Sequence, residues 1–201
     1  MIKIIDYGLG NVSSFLNVYK SLNISCELAS KESDLDEVSH IILPGVGSFD
    51  FAMDLFLKSG LKSRVEALIF ENNIPLLGVC VGMQILGDES EEGFKDGLGW
   101  ISGKVKKIHA ASDHNLPLPH MGWNGLTKIQ NEKLFKNVNL NKGFYFLHSY
   151  FFDSNQHSIA SCSYPNDFCC AVQKENIYGV QFHPEKSLSN GMALLKNFSE
   201  I

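Results

Sequence analysis

Two segments about a hundred residues apart hold the side chains best suited to covalent chemistry. The first, Pro75-Leu76-Leu77-Gly78-Val79-Cys80-Val81-Gly82-Met83-Gln84, is an apolar run that ends in a cysteine between two glycines. A strand that meets Gly-x-Cys-x-Gly can turn sharply into a helix with the thiol at its apex, and glycine is required where a Cβ would crowd the turn. Backbone N–H groups at a helix start favour a thiolate and any anion formed beside it. A lone cysteine in apolar surroundings is more often inert, so the reading needs a base elsewhere. Gln181-Phe182-His183-Pro184-Glu185 supplies one. In an extended chain His183 and Glu185 share a face, so the carboxylate can fix the tautomer of the imidazole. Cys80, His183 and Glu185 are therefore predicted to act as nucleophile, general base and orienter.

Thiolate attack on an amide generates an oxyanion, which main-chain donors must receive. The N–H of Val81, directly after the nucleophile, and that of Val46 or Gly47 in Pro44-Gly45-Val46-Gly47 are the candidates. Gln84 lies four residues beyond Cys80, one helical turn along. His148 is the rival base, but it has no carboxylate two residues away.

Composition sets the frame around these residues. A chain of 201 residues suits one well-buried core, and a formal charge of −5 with dispersed lysines predicts no nucleic-acid binding. Five cysteines without Cys-x-x-Cys spacing argue against a disulfide framework and a zinc site. The sequence shows no signal-peptide pattern and no run long enough to span a membrane, so a cytoplasmic location is expected.

The elements that must carry the site alternate in the first half. Strands are predicted at 3–6, 25–29, 41–43 and 75–79, and helices at 11–22, 49–57 and 61–71. Such alternation implies parallel strands with crossover helices, whose ligands collect beyond the carboxyl ends of the strands. Asn11, Val46 and Cys80 are thus expected on one rim. After residue 104 short β segments follow at 104–108, 125–128, 143–146, 158–163, 170–174 and 177–182, and a last helix at about 190–198. The predicted architecture is a single α/β domain, residues 1–201, with a mostly parallel central sheet flanked by helices and a mixed or antiparallel C-terminal extension. Residues 90–97 and 110–118 are predicted surface loops.

The cysteine elbow with Gln84, together with the distant His-x-Glu, resembles the class I, triad-type glutamine amidotransferases. Asp6-Tyr7-Gly8-Leu9-Gly10-Asn11, Leu43-Pro44-Gly45-Val46-Gly47-Ser48-Phe49, Pro119-His120-Met121-Gly122-Trp123-Asn124 and Phe182-His183-Pro184-Glu185-Lys186-Ser187 are similar to the glutaminase subunits of imidazole glycerol phosphate synthase. This resemblance implies hydrolysis of L-glutamine through a thioester, with no cofactor and no metal. It also implies Gly45, Gln84, His148, Ser149 and Tyr150 around the substrate. Glu92 matches an acidic family loop, although an exposed charged loop is the reading its neighbours favour. Ammonia lost to solvent would be protonated, so a partner must dock over the site. The implied partner is a (βα)8-barrel cyclase of histidine biosynthesis, met by Met121, Trp123 and Tyr145, with Asn11 and Lys186 at the mouth; core packing is the competing role for Trp123. Two other readings are a partner that aminates a nucleotide-linked sugar and a non-catalytic scaffold with this fold.

Overall fold

A computed structural model describes residues 1–109, 117–153 and 156–201. The predicted loop at 110–118 lies almost wholly outside them. The first half follows the expected alternation: β1 (Ile2–Ile5), α1 (Val12–Ser21), β2 (Cys26–Ala29), β3 (His40–Gly45), α2 (Phe49–Lys58), α3 (Lys62–Phe70), β4 (Leu76–Cys80) and the single-turn α4 (Val81–Gln84). Then come the short β5 (Glu89–Ser90), β6 (Lys104–Lys107), β7 (His120–Asn124), β8 (Phe144–His148) and β9 (Tyr150–Asp153). The chain closes with β10 (Ser158–Ser163), β11 (Asp167–Lys174), β12 (Ile177–Val180) and α5 (Leu188–Phe198).

Seven strands form the main sheet in the order β10-β11-β12-β4-β3-β1-β2. The five strands from β12 to β2 are parallel, and β11 and β10 continue antiparallel. Strands β1, β3, β4 and β12 carry almost entirely buried residues, the continuous apolar pattern of strands covered on both faces. Because β12 lies parallel to β4, with Val180 beside Val79, the segment leaving β12 emerges at the same sheet end as Cys80. That pairing brings together two motifs a hundred residues apart.

Several details differ from the sequence-based expectation, among them the strands β5, which overlaps the predicted loop at 90–97, and β9, neither of which the sequence pattern predicts. Residues 125–128 form no strand, since only Thr127 bridges to Ser161. The motif beginning at His120 is itself a strand, β7, paired antiparallel with β8. The α4 helix stops after one turn, and the chain turns again through Gly87, where a Cβ would lie 2.8 Å from the ring of Phe152. Among the described residues no helix is long and apolar enough to cross a membrane, and all five cysteines are free thiols.

Candidate active site

Cys80 ends β4 with φ 56° and ψ −115°, a left-handed conformation that a non-glycine residue adopts only where its surroundings enforce it. The flanking glycines explain how. A Cβ on Gly82 would lie 2.0 Å from the carbonyl oxygen of Leu43, and one on Gly78 would lie 2.7 Å from the Gly82 carbonyl oxygen. The elbow is therefore pressed against the end of β3 with no room for a side chain. Gly45 belongs to the same contact, since its Cβ would sit 2.4 Å from the Gly82 nitrogen. Expected as a substrate contact, Gly45 instead packs behind the elbow, outside the walls of the adjoining cavity.

His183 follows β12 and is held from three sides. Its N–H donates to the Tyr145 carbonyl at 2.9 Å, and its own carbonyl accepts the Ser187 hydroxyl at 2.6 Å. Ser187 Oγ in turn accepts the Tyr145 N–H at 3.0 Å. Its ring Nδ1 meets Glu185 Oε1 at 2.9 Å, and both side chains are buried. The geometry of this pair corrects the extended-chain reading: residues 184–186 form a 3₁₀ turn opened by Pro184, and the turn rather than strand alternation returns the carboxylate to the ring. With Nδ1 committed to Glu185, Nε2 is left for the hydrogen bond to Cys80. Burial alone would lower the His183 pKa. The hydrogen bonds to Cys80 and Glu185 and the charge of both outweigh it, raising the value to about 10.

A cavity of about 290 Å³ opens above these groups, lined by Val46, Gly47, Cys80, Val81, Gln84, Glu92, Pro119, Leu147, His148, Ser149, Tyr150, His183 and Lys186. Its walls thus combine all three candidate oxyanion residues with most of the expected substrate contacts. The loop bearing Val46 and Gly47 is buttressed from below. Tyr7 Oη donates to the Pro44 carbonyl at 2.7 Å, and Gly10, at φ 95°, lies where a Cβ would meet Pro44 at 2.7 Å. That contact gives the segment from Asp6 to Asn11 a positioning role that its sequence did not reveal. Asn11 follows β1, which runs parallel to β3, and its neighbour Gly10 packs on Pro44, so it stands at the same sheet end as Val46 and Cys80; it is exposed and not among the cavity walls.

Glu92 departs from the exposed-loop reading. It is half-buried at the cavity, and its Oε2 accepts the Phe49 N–H at 2.8 Å at the start of α2. Burial raises its pKa, partly offset by that hydrogen bond. Asp50 holds the following loop through the N–H groups of Phe94 and Lys95, at 3.0 to 3.2 Å.

His148 is buried, its Nδ1 at 2.8 Å from the Tyr150 carbonyl and its Nε2 at 3.0 Å from His120 Nδ1. Burial lowers the pKa of His148 to about 3 and that of His120 to about 4, so both rings are neutral and His148 is not poised as a base. Met121 and Trp123 are 65% and 49% exposed at alternate positions of β7, which rules out the core-packing role for Trp123. Lys186 Nζ sits 5.9 Å above the Tyr145 ring, and Trp123 packs edge-on to Tyr145 at 6.3 Å. Sequence reading missed Gln181, whose amide faces Cys80. Gln181 lies two residues before His183 in an extended segment, so the spacing that could have found it was present.

Residues 3–201 match the family model described as glutamine amidotransferase class-I. The imidazole glycerol phosphate synthase subunit HisH of Leptospira borgpetersenii is 49% identical over 100% of both chains. This chain belongs to the class-I glutamine amidotransferases. The subunit of the same name from Bdellovibrio bacteriovorus is 48% identical, again over 100% of both chains. A solved glutamine amidotransferase, 18% identical, superposes with a TM-score of 0.72 over 99% of this chain and 97% of that one, showing the shared fold. The Cys80 thiol and the His183 imidazole line the cavity, and Glu185 is buried against the imidazole, 2.9 Å from its Nδ1.

Proposed function

We propose that the chain is the glutaminase subunit of a two-component synthase in histidine biosynthesis, and that Cys80, His183 and Glu185 carry its chemistry. Cys80 attacks the carboxamide carbon of L-glutamine, and the N–H groups of Val81 and of Val46 or Gly47 receive the oxyanion. The imidazolium of His183 protonates the departing ammonia, leaving a thioester. Neutral His183 then takes a proton from water as it hydrolyses the thioester to glutamate and returns the thiolate. Glu185 keeps the ring in one tautomer throughout. Gln84, Ser149, Tyr150 and the backbone near His148 bound the substrate, and Glu92 faces its ammonium group.

The observation that carries this reading is the buried Cys80, His183 and Glu185 cluster: Cys80, His183 and Lys186 line one cavity, Lys186 and exposed Trp123 both pack on Tyr145, and Met121 is exposed on the same face of β7. The exposed pair, with Tyr145 and Lys186, forms the docking face for a (βα)8-barrel cyclase that receives the ammonia; free thiols fit a reducing cytoplasm. Full-length similarity to HisH subunits favours this acceptor over a sugar-aminating partner, and an intact triad disfavours a scaffold. The test mixes the chain with a histidine-pathway cyclase, glutamine and the nucleotide substrate. Ring product that disappears with Cys80→Ala is expected; stable binding without product, or equal glutamate release from both proteins, refutes the proposal.

A further inference from the structure

Cys80 has a second side-chain neighbour besides His183. Gln181 is fully buried, and its Nε2 lies 3.7 Å from Cys80 Sγ, within hydrogen-bond range for sulfur. The orientation of that amide is fixed independently of the sulfur. Gln181 Oε1 accepts from Gln84 Nε2 at 2.9 Å, and Gln84 Nε2 also donates to the Tyr150 carbonyl at 3.1 Å. A carbonyl cannot donate, so Gln84 must present its NH₂ to both acceptors, and Gln181 must then present its own NH₂ to the sulfur.

The anchor extends further. The Tyr150 carbonyl also accepts His148 Nδ1–H at 2.8 Å, which leaves His148 Nε2 to accept from His120 Nδ1–H at 3.0 Å. His120 Nε2 then accepts Asn124 Nδ2 at 3.2 Å. Every proton in this line has one place, because neither ring carries a second one. The backbone of Gln181 is tied as well, its N–H donating to Cys170 at 2.8 Å. The Leu147 carbonyl oxygen also lies 4.0 Å from the sulfur, in reach of the thiol proton.

We infer that Gln181 is a catalytic donor to the nucleophile: its amide N–H, oriented by Gln84, holds negative charge on the Cys80 sulfur alongside His183. A neutral donor suits this place. It stabilises the thiolate more than the thiol, since hydrogen bonds to charged groups are the stronger ones, and it offers the leaving group no competing proton. Gln84 thereby gains a positioning role, acting on the sulfur through Gln181.

The inference rests on Cys80 being the nucleophile, and its test needs neither glutamine nor a partner. Alkylation of Cys80 by iodoacetamide is followed by mass spectrometry from pH 5 to 9 in the full chain, with Cys26 as internal comparison. Gln181→Met keeps the length and removes the donor; Gln84→Met keeps Gln181 and frees it to rotate. The expected result is a rate at pH 6 lower by about 10-fold in Gln181→Met, with its acid limb moved to higher pH, and a smaller change of the same sign in Gln84→Met. A merely structural role would lower the melting temperature and leave the pH profile in place. A folded Gln181→Met with the parent profile overturns the inference alone. If that variant does not fold, an unchanged profile in Gln84→Met overturns it. A parent Cys80 no faster than Cys26 at pH 6 overturns the nucleophile reading and the inference with it.

Discussion

Replacing Gly82 by alanine tests whether the elbow owes its shape to contact with β3. The new Cβ would fall 2.0 Å from the Leu43 carbonyl oxygen, 2.9 Å from its carbon and 3.1 Å from the Pro44 carbon, all of them main chain. Ordinary contact needs 3.4 Å or more, so the two strand ends must part by on the order of 1 Å. No flexible side chain is available to absorb this. Gly45 is registered with Cys80 across β3 and β4, and Val46 and Gly47 follow directly, so the separation moves the oxyanion donors relative to the sulfur. A misplacement of about 1 Å costs about 100-fold in rate, while overpacking destabilises by about 1–3 kcal/mol. Glutamate release in the presence of the cyclase should fall by about that factor. The melting temperature should drop by about 2–4 °C for each kcal/mol lost. Circular dichroism at 25 °C would show the chain still folded. Glutamate release within twofold of the parent, at any melting temperature, would refute the claim that this contact sets the site geometry.

Other consequences follow from the same geometry. Glu185→Gln removes the carboxylate from His183 Nδ1, and glutamate release should drop by up to about 10⁴-fold with Cys80 still present for alkylation. With His183 raised to about 10, its contribution to stability is complete below its ordinary value of 6.5 and is lost as pH rises toward 10. Glutamate release should fall over the same alkaline range, because ammonia leaves with the proton of the imidazolium; urea titrations and rates between pH 7 and 10.5 would show both. His148 and His120 act with the opposite sign. Their values of about 3 and about 4 lie below that of the unfolded chain, so stability declines as pH falls from 6.5 toward 4, by up to about 1.4 kcal/mol per pH unit for each ring, and a His148→Gln chain should show a shallower acid limb. Trp123→Ala should leave the melting temperature nearly unchanged, since the indole is half exposed, yet weaken cyclase binding by about 10-fold or more in a titration.

Much of this site was legible before any coordinates, for stated reasons. A thiol between two glycines at the end of an apolar run, and an imidazole two residues from a carboxylate, are local patterns whose chemistry is carried by residue type and spacing. The parallel alternation of the first half is equally local, and the observed strands depart from it by one or two residues at their ends. Glu92 and Trp123 were not legible in the same way. A charged loop residue and an aromatic on a strand have the same sequence appearance whether they face a cavity, the core or solvent, and only packing distinguishes these.

The sequence by itself determined the reactive types and the elbow that exposes one of them, because tight turns and nucleophile-base pairs are demands on single residues and short spacings. Tertiary structure decided which residues meet. Residues 80 and 183 share a sheet end only because β12 pairs parallel with β4, and Gly82 is needed only because the Leu43 carbonyl lies where its Cβ would be. The neutrality of His148 and the direction of the Gln181 amide likewise depend on partners from β7, β9 and α4. Distances between chain segments, burial and hydrogen-bond direction belong to the folded molecule, and no local spacing encodes them.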